Sequence, residues 1–244
     1  MIRRCLALAV VAVCSALPAT PVLAGARAIV ELFTSQGCSS CPAADKVLGE
    51  MANDPSLVAI SLPMDVWDYL GWKDTLADPR NTARWQAYSK SRGDRERYTP
   101  QVVVNGAAHA LGSDRSAIEK AIVKSRQNEA VMSVPVNAAR SGDGLTITLP
   151  DGTPPAAATV TVWALAKAVT VMITRGENKG RTVTYHNVMR RLVDLGPWNA
   201  TTNRWTVPLR DLAGDGIDSA AVLVQTGTPA MPSIMLGAAM TPLH

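Results

Sequence analysis

Short apolar runs alternate with amphipathic stretches through the first half of the chain, and the alternation predicts the elements. AIVELFT (28–34) is an apolar run of the length and bounds of a buried strand. PAADKVLGEMAND (42–54) places Val47, Leu48 and Met51 on one helical face. SLVAISL (56–62) reads as a second strand. DPRNTARWQAYSKSRG (78–93) opens on an Asp-Pro start signal and closes on Gly93, which predicts a second helix. QVVVNGAAHAL (101–111) is two short strands about Asn105-Gly106, the strongest two-residue hairpin signal. GSDRSAIEKAIVKSRQ (112–127) is a capped helix with Ile118, Ala121 and Ile122 inward. The order β-α-β-α-β-β-α predicts a layered α/β domain built on one sheet.

The pattern changes near residue 130. Alternating runs follow one another: VMSVPVNA, LTITL, TVTVWAL, AVTVMI, RTVTYHNV, RWTVPL, AAVLVQ and SIMLGAAM. Turn clusters separate them, at Ser141–Gly144, Asp151–Pro155, Gly176–Gly180, Gly196-Pro197 and Gly214–Gly216. Many short strands with regular turns predict an all-β antiparallel sandwich over residues 131–244, after an α/β domain over 25–130. Neither half contains a repeat or a low-complexity tract.

Residues 1–24 change the cysteine count. Arg3 and Arg4 precede an apolar run from Cys5 to Leu17, and Val22-Leu23-Ala24 precedes Gly25, the pattern of a cleavable secretory signal. The run is short for a membrane span, so membrane contact is expected only through an uncleaved signal. The mature protein is then expected to be periplasmic or extracellular. Of four cysteines only Cys38 and Cys41 remain, in a compartment where disulfides persist. The formal net charge falls from +4 to +2 with the loss of Arg3 and Arg4. The remaining basic residues are scattered, so no nucleic-acid partner is expected.

The candidate chemistry lies in FTSQGCSSCPAAD (33–45). Cys38 follows the first strand at the start of a helix, where unpaired N–H groups and the helix dipole favour a thiolate. Cys41 lies one turn further in, and Pro42 is tolerated in the first turn. A strand, C-x-x-C and a helix in a βαβ context read as a redox motif. A bridge over so small a loop constrains the unfolded chain little, which weakens a purely structural reading. A metal role would need further ligands, and the three histidines, His109, His186 and His244, are dispersed, so no metal site is assigned.

YTPQVVVNG (98–106) is the second signal. Thr99-Pro100 enters the third strand where thioredoxin folds place a cis proline beside the cysteine pair. Residues 25–130 therefore resemble thioredoxin-like proteins. ELFTSQGCSSCPAAD, DVWDYLGWKD, YTPQVVVNG and RGENKGRTVTYHNV together resemble a secreted bacterial thioredoxin-like family of unknown function, DUF1223. The resemblance implies a thiol-redox pair at Cys38 and Cys41, and a substrate site shaped by Thr99 and Pro100. It also nominates Glu31, on the first strand, as a candidate proton relay to Cys41; the alternative is that Glu31 simply ends on the outer face. The sequence departs from thioredoxins in its Ser-Ser dipeptide, in Gly37 before Cys38, and in a long insertion from Leu62 to Pro79.

Two further stretches bear on the site. DVWDYLGWKD (65–74) carries Trp67, Tyr69 and Trp72, which either wall the cysteines or cover the end of the sheet. RGENKGRTVTYHNV (175–188) is either a solvated tip or a segment that docks the two halves or lines the thiol site. The expected function is an exported thiol–disulfide oxidoreductase: Cys38 attacks, Cys41 resolves, and no dissociable cofactor is needed. Its partner would be a protein or a small thiol or disulfide. The alternatives are a non-catalytic binding protein of the same fold and a Cu(I)-handling metallochaperone.

Overall fold

The computed structural model describes residues 25–199 and 201–244, so the signal segment expected at 1–24 lies outside the described residues. The N-terminal elements are β1 (Ala28–Thr34), α1 (Cys41–Met51), β2 (Leu57–Pro63), α2 (Pro79–Arg92), β3 (Gln101–Val104), β4 (Ala108–Leu111) and α3 (Arg115–Ser125). Asp78 caps α2 by accepting the Arg80 N–H, and Gly93 closes it at φ 76°. Asp114 caps α3 through the Ala117 N–H. β1 and β2 run parallel, and β1–β3 and β3–β4 are antiparallel. Both β1 and β2 are buried along their whole length, as suits strands so largely apolar.

Strand alternation divides β1 between two cores. Ala28, Val30 and Leu32 face α1 and α3, with Leu48, Met51, Ile118 and Ile122. Ile29 and Phe33 face the opposite way, toward Tyr88 of α2.

The second half holds β5 (Asn137–Ser141), β6 (Gly144–Thr148), β7 (Ala158–Met172), β8 (Thr182–Trp198), β9 (Arg204–Pro208), α4 (Leu209–Leu212), β10 (Ser219–Thr228) and β11 (Met231–Pro242). It does not make a self-contained sandwich. Four of its strands extend the N-terminal sheet, giving eight strands in the order β11-β10-β7-β8-β2-β1-β3-β4. Only β5-β6-β9 form a separate sheet. Leu145, Ile147 and Val207 of that small sheet pack on Val160, Val162, Val222 and Leu236 of the large one. The join is a parallel pairing of Ser61 in β2 with Val188 in β8. Beside it, Asn187, at φ 48°, donates its side-chain N–H to the Ala59 carbonyl at 2.9 Å.

The alternating pattern under-read the length of two strands. TVTVWAL and AVTVMI are one strand, β7, and β8 runs on through Arg190, Arg191 and the Gly196-Pro197 pair that resembles a turn. Register shifts at Val160/Thr161 and Ala164/Leu165 absorb the irregularity without breaking the ladder. Beyond Ala166 the two strands project as a hairpin whose tip, residues 173–181, is closed by the Gly180 N–H to the Ile173 carbonyl at 2.8 Å.

The sheet runs unbroken past residue 130, and polar contacts bind its halves at further places. The Asn105-Gly106 turn docks on β11: the Met235 N–H reaches the Asn105 carbonyl at 2.9 Å. A methyl group on Gly106 would meet the Ser233 carbonyl oxygen at 2.1 Å, so only glycine fits there. In the opposite core Arg84 Nε donates to Glu31 Oε1 at 2.7 Å, and its Nη2 donates to Tyr88 Oη at 2.7 Å and Gln225 Oε1 at 2.8 Å. Tyr88 Oη donates to Glu31 Oε2 at 2.6 Å. The Arg84 guanidinium lies 4.7 Å from the Tyr88 ring centroid and 4.9 Å from that of Trp163.

Arg84→Met would strand the Glu31 carboxylate in this core. Urea unfolding should show a loss of about 3–5 kcal/mol, and adding Glu31→Gln should recover part of it. An unchanged midpoint in Arg84→Met would remove this network from the forces joining the halves.

Candidate functional site

β1 ends at Thr34 and the chain turns through residues 35–40 into α1. Cys38 and Cys41 form a disulfide with Cα atoms 5.4 Å apart. The helix starts at Cys41, later than expected, so Cys38 lies in the turn ahead of it, two residues before the Ser40 cap. The Cys38 N–H donates to the Ser35 carbonyl at 3.1 Å, and the Cys41 N–H to the Cys38 carbonyl at 3.2 Å. Cys38 keeps 6% of its surface in solvent, whereas Cys41 has none.

The structure brings Thr99 to Cys38. Thr99 Oγ1 donates to Cys38 Sγ at 3.4 Å, and it accepts from the Trp67 indole N–H at 2.9 Å. The indole thus occupies a lone pair of the hydroxyl and leaves its proton for sulfur. Ser40 Oγ is 3.5 Å from Cys38 Sγ and 3.4 Å from the Thr99 carbonyl. A hydroxyl aimed at sulfur is of the kind that favours an anion over a neutral thiol. The Thr99-Pro100 peptide is cis, and Pro100 packs beside Gly112, where an added methyl group would meet Leu32, Ala44 and Pro100.

The aromatic loop does wall the thiol turn. Trp67 reaches Thr99, and Trp72 Nε1 donates to Gln36 Oε1 at 2.7 Å. Gly37 is pressed on this wall: a methyl group there would lie 2.8 Å from Trp67 Cβ. Tyr69, by contrast, is open to solvent.

The β7–β8 hairpin tip closes the other side. Asn178, buried, donates its side-chain N–H groups to the Gln36 carbonyl at 3.0 Å and the Cys38 carbonyl at 2.8 Å. The 175–188 segment therefore contributes a residue to the thiol turn. Its polar density was the sequence signal, but nothing in the sequence separates Asn178 from its neighbours.

Glu31 does not lie beside the cysteines. It shares the α2 face of β1 with Ile29 and Phe33, and Arg84 and Tyr88 occupy both of its oxygens. The buried acid on the cysteine side is Asp45, one helical turn after Cys41 on the same face as Ala44 and Leu48. Neither of its oxygens has a well-formed hydrogen bond, and Thr34 Oγ1 and Ser61 Oγ are likewise unpartnered. Burial pushes the Asp45 carboxyl up to about 8, partly offset by the nearby Thr34 hydroxyl and reinforced by Asp74. Burial, then the charges of Asp45 and Asp74, also raise the Tyr185 phenol. An aspartate one turn after Cys41, among apolar residues, was the signal available in PAAD.

The histidines are dispersed. His109 Nδ1 contacts Tyr98 Oη at 2.9 Å, and His186 lies against Gly49 of α1. Among the described residues no three His, Cys, Asp or Glu side chains gather as a metal-ligand set. Among the same residues no helix is long and apolar enough to cross a membrane.

The chain belongs to the family described as a protein of unknown function, DUF1223, whose model matches residues 29–225. A crystal structure of a protein from Agrobacterium tumefaciens is 31% identical over 89% of this chain and 94% of its own, with a TM-score of 0.78. HBP35 of Porphyromonas gingivalis shares the fold at 14% identity, covering 90% of this chain and 76% of its own, with a TM-score of 0.56. No curated protein matches the chain in sequence.

Asp45 makes stability depend on pH. Folded, it holds its proton to about 8; unfolded, it releases it near pH 4. The unfolded chain then binds fewer protons between those values, so this contribution weakens as pH rises from about 4 to about 8. Asp45→Asn should be more stable than the parent at pH 7 by on the order of 1–3 kcal/mol, with the difference vanishing near pH 4. Denaturant titrations at the two pH values measure it.

Proposed function

We propose that the protein is an exported thiol–disulfide oxidoreductase with a thioredoxin-like core. The architectural support is the β2-β1-β3-β4 portion of the sheet, with α1 and α3 on one face and α2 on the other. The observation that carries the chemical reading is the junction at Cys38 Sγ. There the sulfur of Cys38, the cysteine that keeps residual solvent access, receives a hydroxyl proton from Thr99, oriented by Trp67. An inert bridge has no use for a donor aimed at its outer sulfur.

In the oxidising direction, a substrate thiolate attacks Cys38 Sγ in line with the Cys38–Cys41 bond. That bond breaks, its electron pair leaves with Cys41, and a mixed disulfide forms on Cys38. Cys41 departs into the buried side of α1, where the protonated Asp45 supplies a proton to the new thiolate. A second substrate thiolate then attacks the substrate sulfur and releases Cys38 as a thiolate, which Thr99 stabilises. The substrate leaves with one disulfide and the protein with two reduced cysteines. The reverse sequence reduces a substrate disulfide: Cys38 attacks, and Cys41 resolves after returning its proton to Asp45. Asp45 thus takes the relay role first assigned to Glu31.

Cys41→Ala should accumulate reductant-sensitive adducts when expressed in the exporting compartment, acid-trapped and run on non-reducing gels. Cys38→Ala should not. Equal adducts from both variants would refute the assignment of roles, and none from either would favour a binding function. Thr99→Val should raise the Cys38 pKa by about one unit, read from the pH dependence of alkylation of the reduced protein. An unchanged profile would remove the hydroxyl from the mechanism.

A further inference from the structure

Residues 35–38 form a buried turn outside any strand or helix, with Ser35 and Gln36 both almost fully enclosed. Buried backbone groups must find partners, and here the partners come from distant parts of the chain. The Gln36 N–H donates to Asp74 Oδ2 at 2.8 Å. The Leu76 N–H donates to Asp74 Oδ1 at 2.8 Å. One carboxylate therefore ties the thiol turn to the loop that carries Trp67 and Trp72, with one N–H on each oxygen. The same loop grips the Gln36 side chain, whose Oε1 accepts from Trp72 Nε1 and from the Thr75 N–H at 3.2 Å.

This tie is strongest while Asp74 is ionised. A proton takes a lone pair and most of the charge from the carboxylate, so both N–H bonds weaken, and the one to the protonated oxygen weakens most. Asp74 is buried, and among the described residues no ion pair holds it. The charged and titratable groups that face it are the Asp68 carboxylate on its own loop, which accepts the Asp74 N–H at 3.0 Å, Asp45 on α1 and Tyr185 on β8. None of them favours a charge on Asp74.

We infer that Asp74 is a positioning residue for Cys38: its ionised carboxylate pins the thiol turn against the aromatic loop, and acidification unpins the turn and slows disulfide exchange. The kinetic consequence rests on the thiol-exchange reading above; the pinning itself does not. Burial raises the Asp74 carboxyl to about 6, against the opposing pull of the Gln36 and Leu76 N–H groups. The transition therefore falls near pH 6, apart from the value near 8 that belongs to Asp45.

Hydrogen exchange at the Gln36 amide in the oxidised protein tests the pinning, corrected for the intrinsic pH dependence of exchange. Protection should fall about tenfold between pH 7 and pH 5, the span of one unit on either side of the transition. In Asp74→Asn it should be flat across that range and below the parent's at pH 7. Reduction of the disulfide by dithiothreitol should be slower in Asp74→Asn than in the parent at pH 7, and the two rates should converge by pH 5. Gln36 protection that does not change in the parent overturns the inference, and so does a changed protection with equal reduction rates at pH 7. The parent titration decides the pinning even where Asp74→Asn does not fold. Failure of the thiol-exchange reading is seen separately, as a lack of adducts on the Cys41→Ala variant while the Gln36 titration persists.

Discussion

A buried turn with no strand or helix to satisfy it must borrow its hydrogen-bond partners, and much of this structure follows from that constraint. The turn before α1 carries Cys38, and its Gln36 N–H and its Gln36 and Cys38 carbonyls are met by side chains from residues 74 and 178. Asp74 comes from the long insertion between β2 and α2. Asn178 comes from the tip of a hairpin that must project past the end of the shared sheet to reach it. The length of β7 and β8 and the place of β8 beside β2 together carry the tip to the turn. The second half of the chain is part of the thiol site as well as of the fold.

The two faces of β1 separate structural from chemical work. On the α2 face, Glu31 meets a cation and a phenol, and Gln225 in turn holds both of those partners. Such a network holds position and has no proton to spare. On the α1 face, Asp45 has neither cation nor firm hydrogen bond, and burial keeps it protonated near neutral pH. A carboxyl that is costly to ionise, one turn from the inner cysteine, can give up a proton when a thiolate appears beside it. The difference arises from strand alternation and helix spacing.

The N-terminal elements were legible because each has a local cause: apolar runs for β1 and β2, Asp78 and Gly93 bounding α2, Asn105-Gly106 for the β3–β4 turn. Cys38, Cys41 and the Thr99-Pro100 pair were legible as motifs, and the structure brings Thr99 against Cys38. The fate of the second half was not legible. Alternation says that β7 and β8 have an apolar face, but it does not say which sheet they join, because that is decided by the contact of Ser61 with Val188 across the chain. Glu31 was misassigned because its register against α1 and α2 is a tertiary fact. Asn178 and Asp74 carry no local signal, since their roles exist only where the turn meets them.

The reduction potential of the Cys38–Cys41 couple, measured by equilibration in thiol–disulfide buffers, bears most directly on the chemical reading. On the proposed mechanism, a hydroxyl donor at Cys38 and a proton donor behind Cys41 both stabilise the reduced form, which raises the potential. A working couple should therefore equilibrate above about −300 mV. A value well below that, with no reduction by a physiological thiol pool, would mark the bridge as structural and leave the protein a binding module.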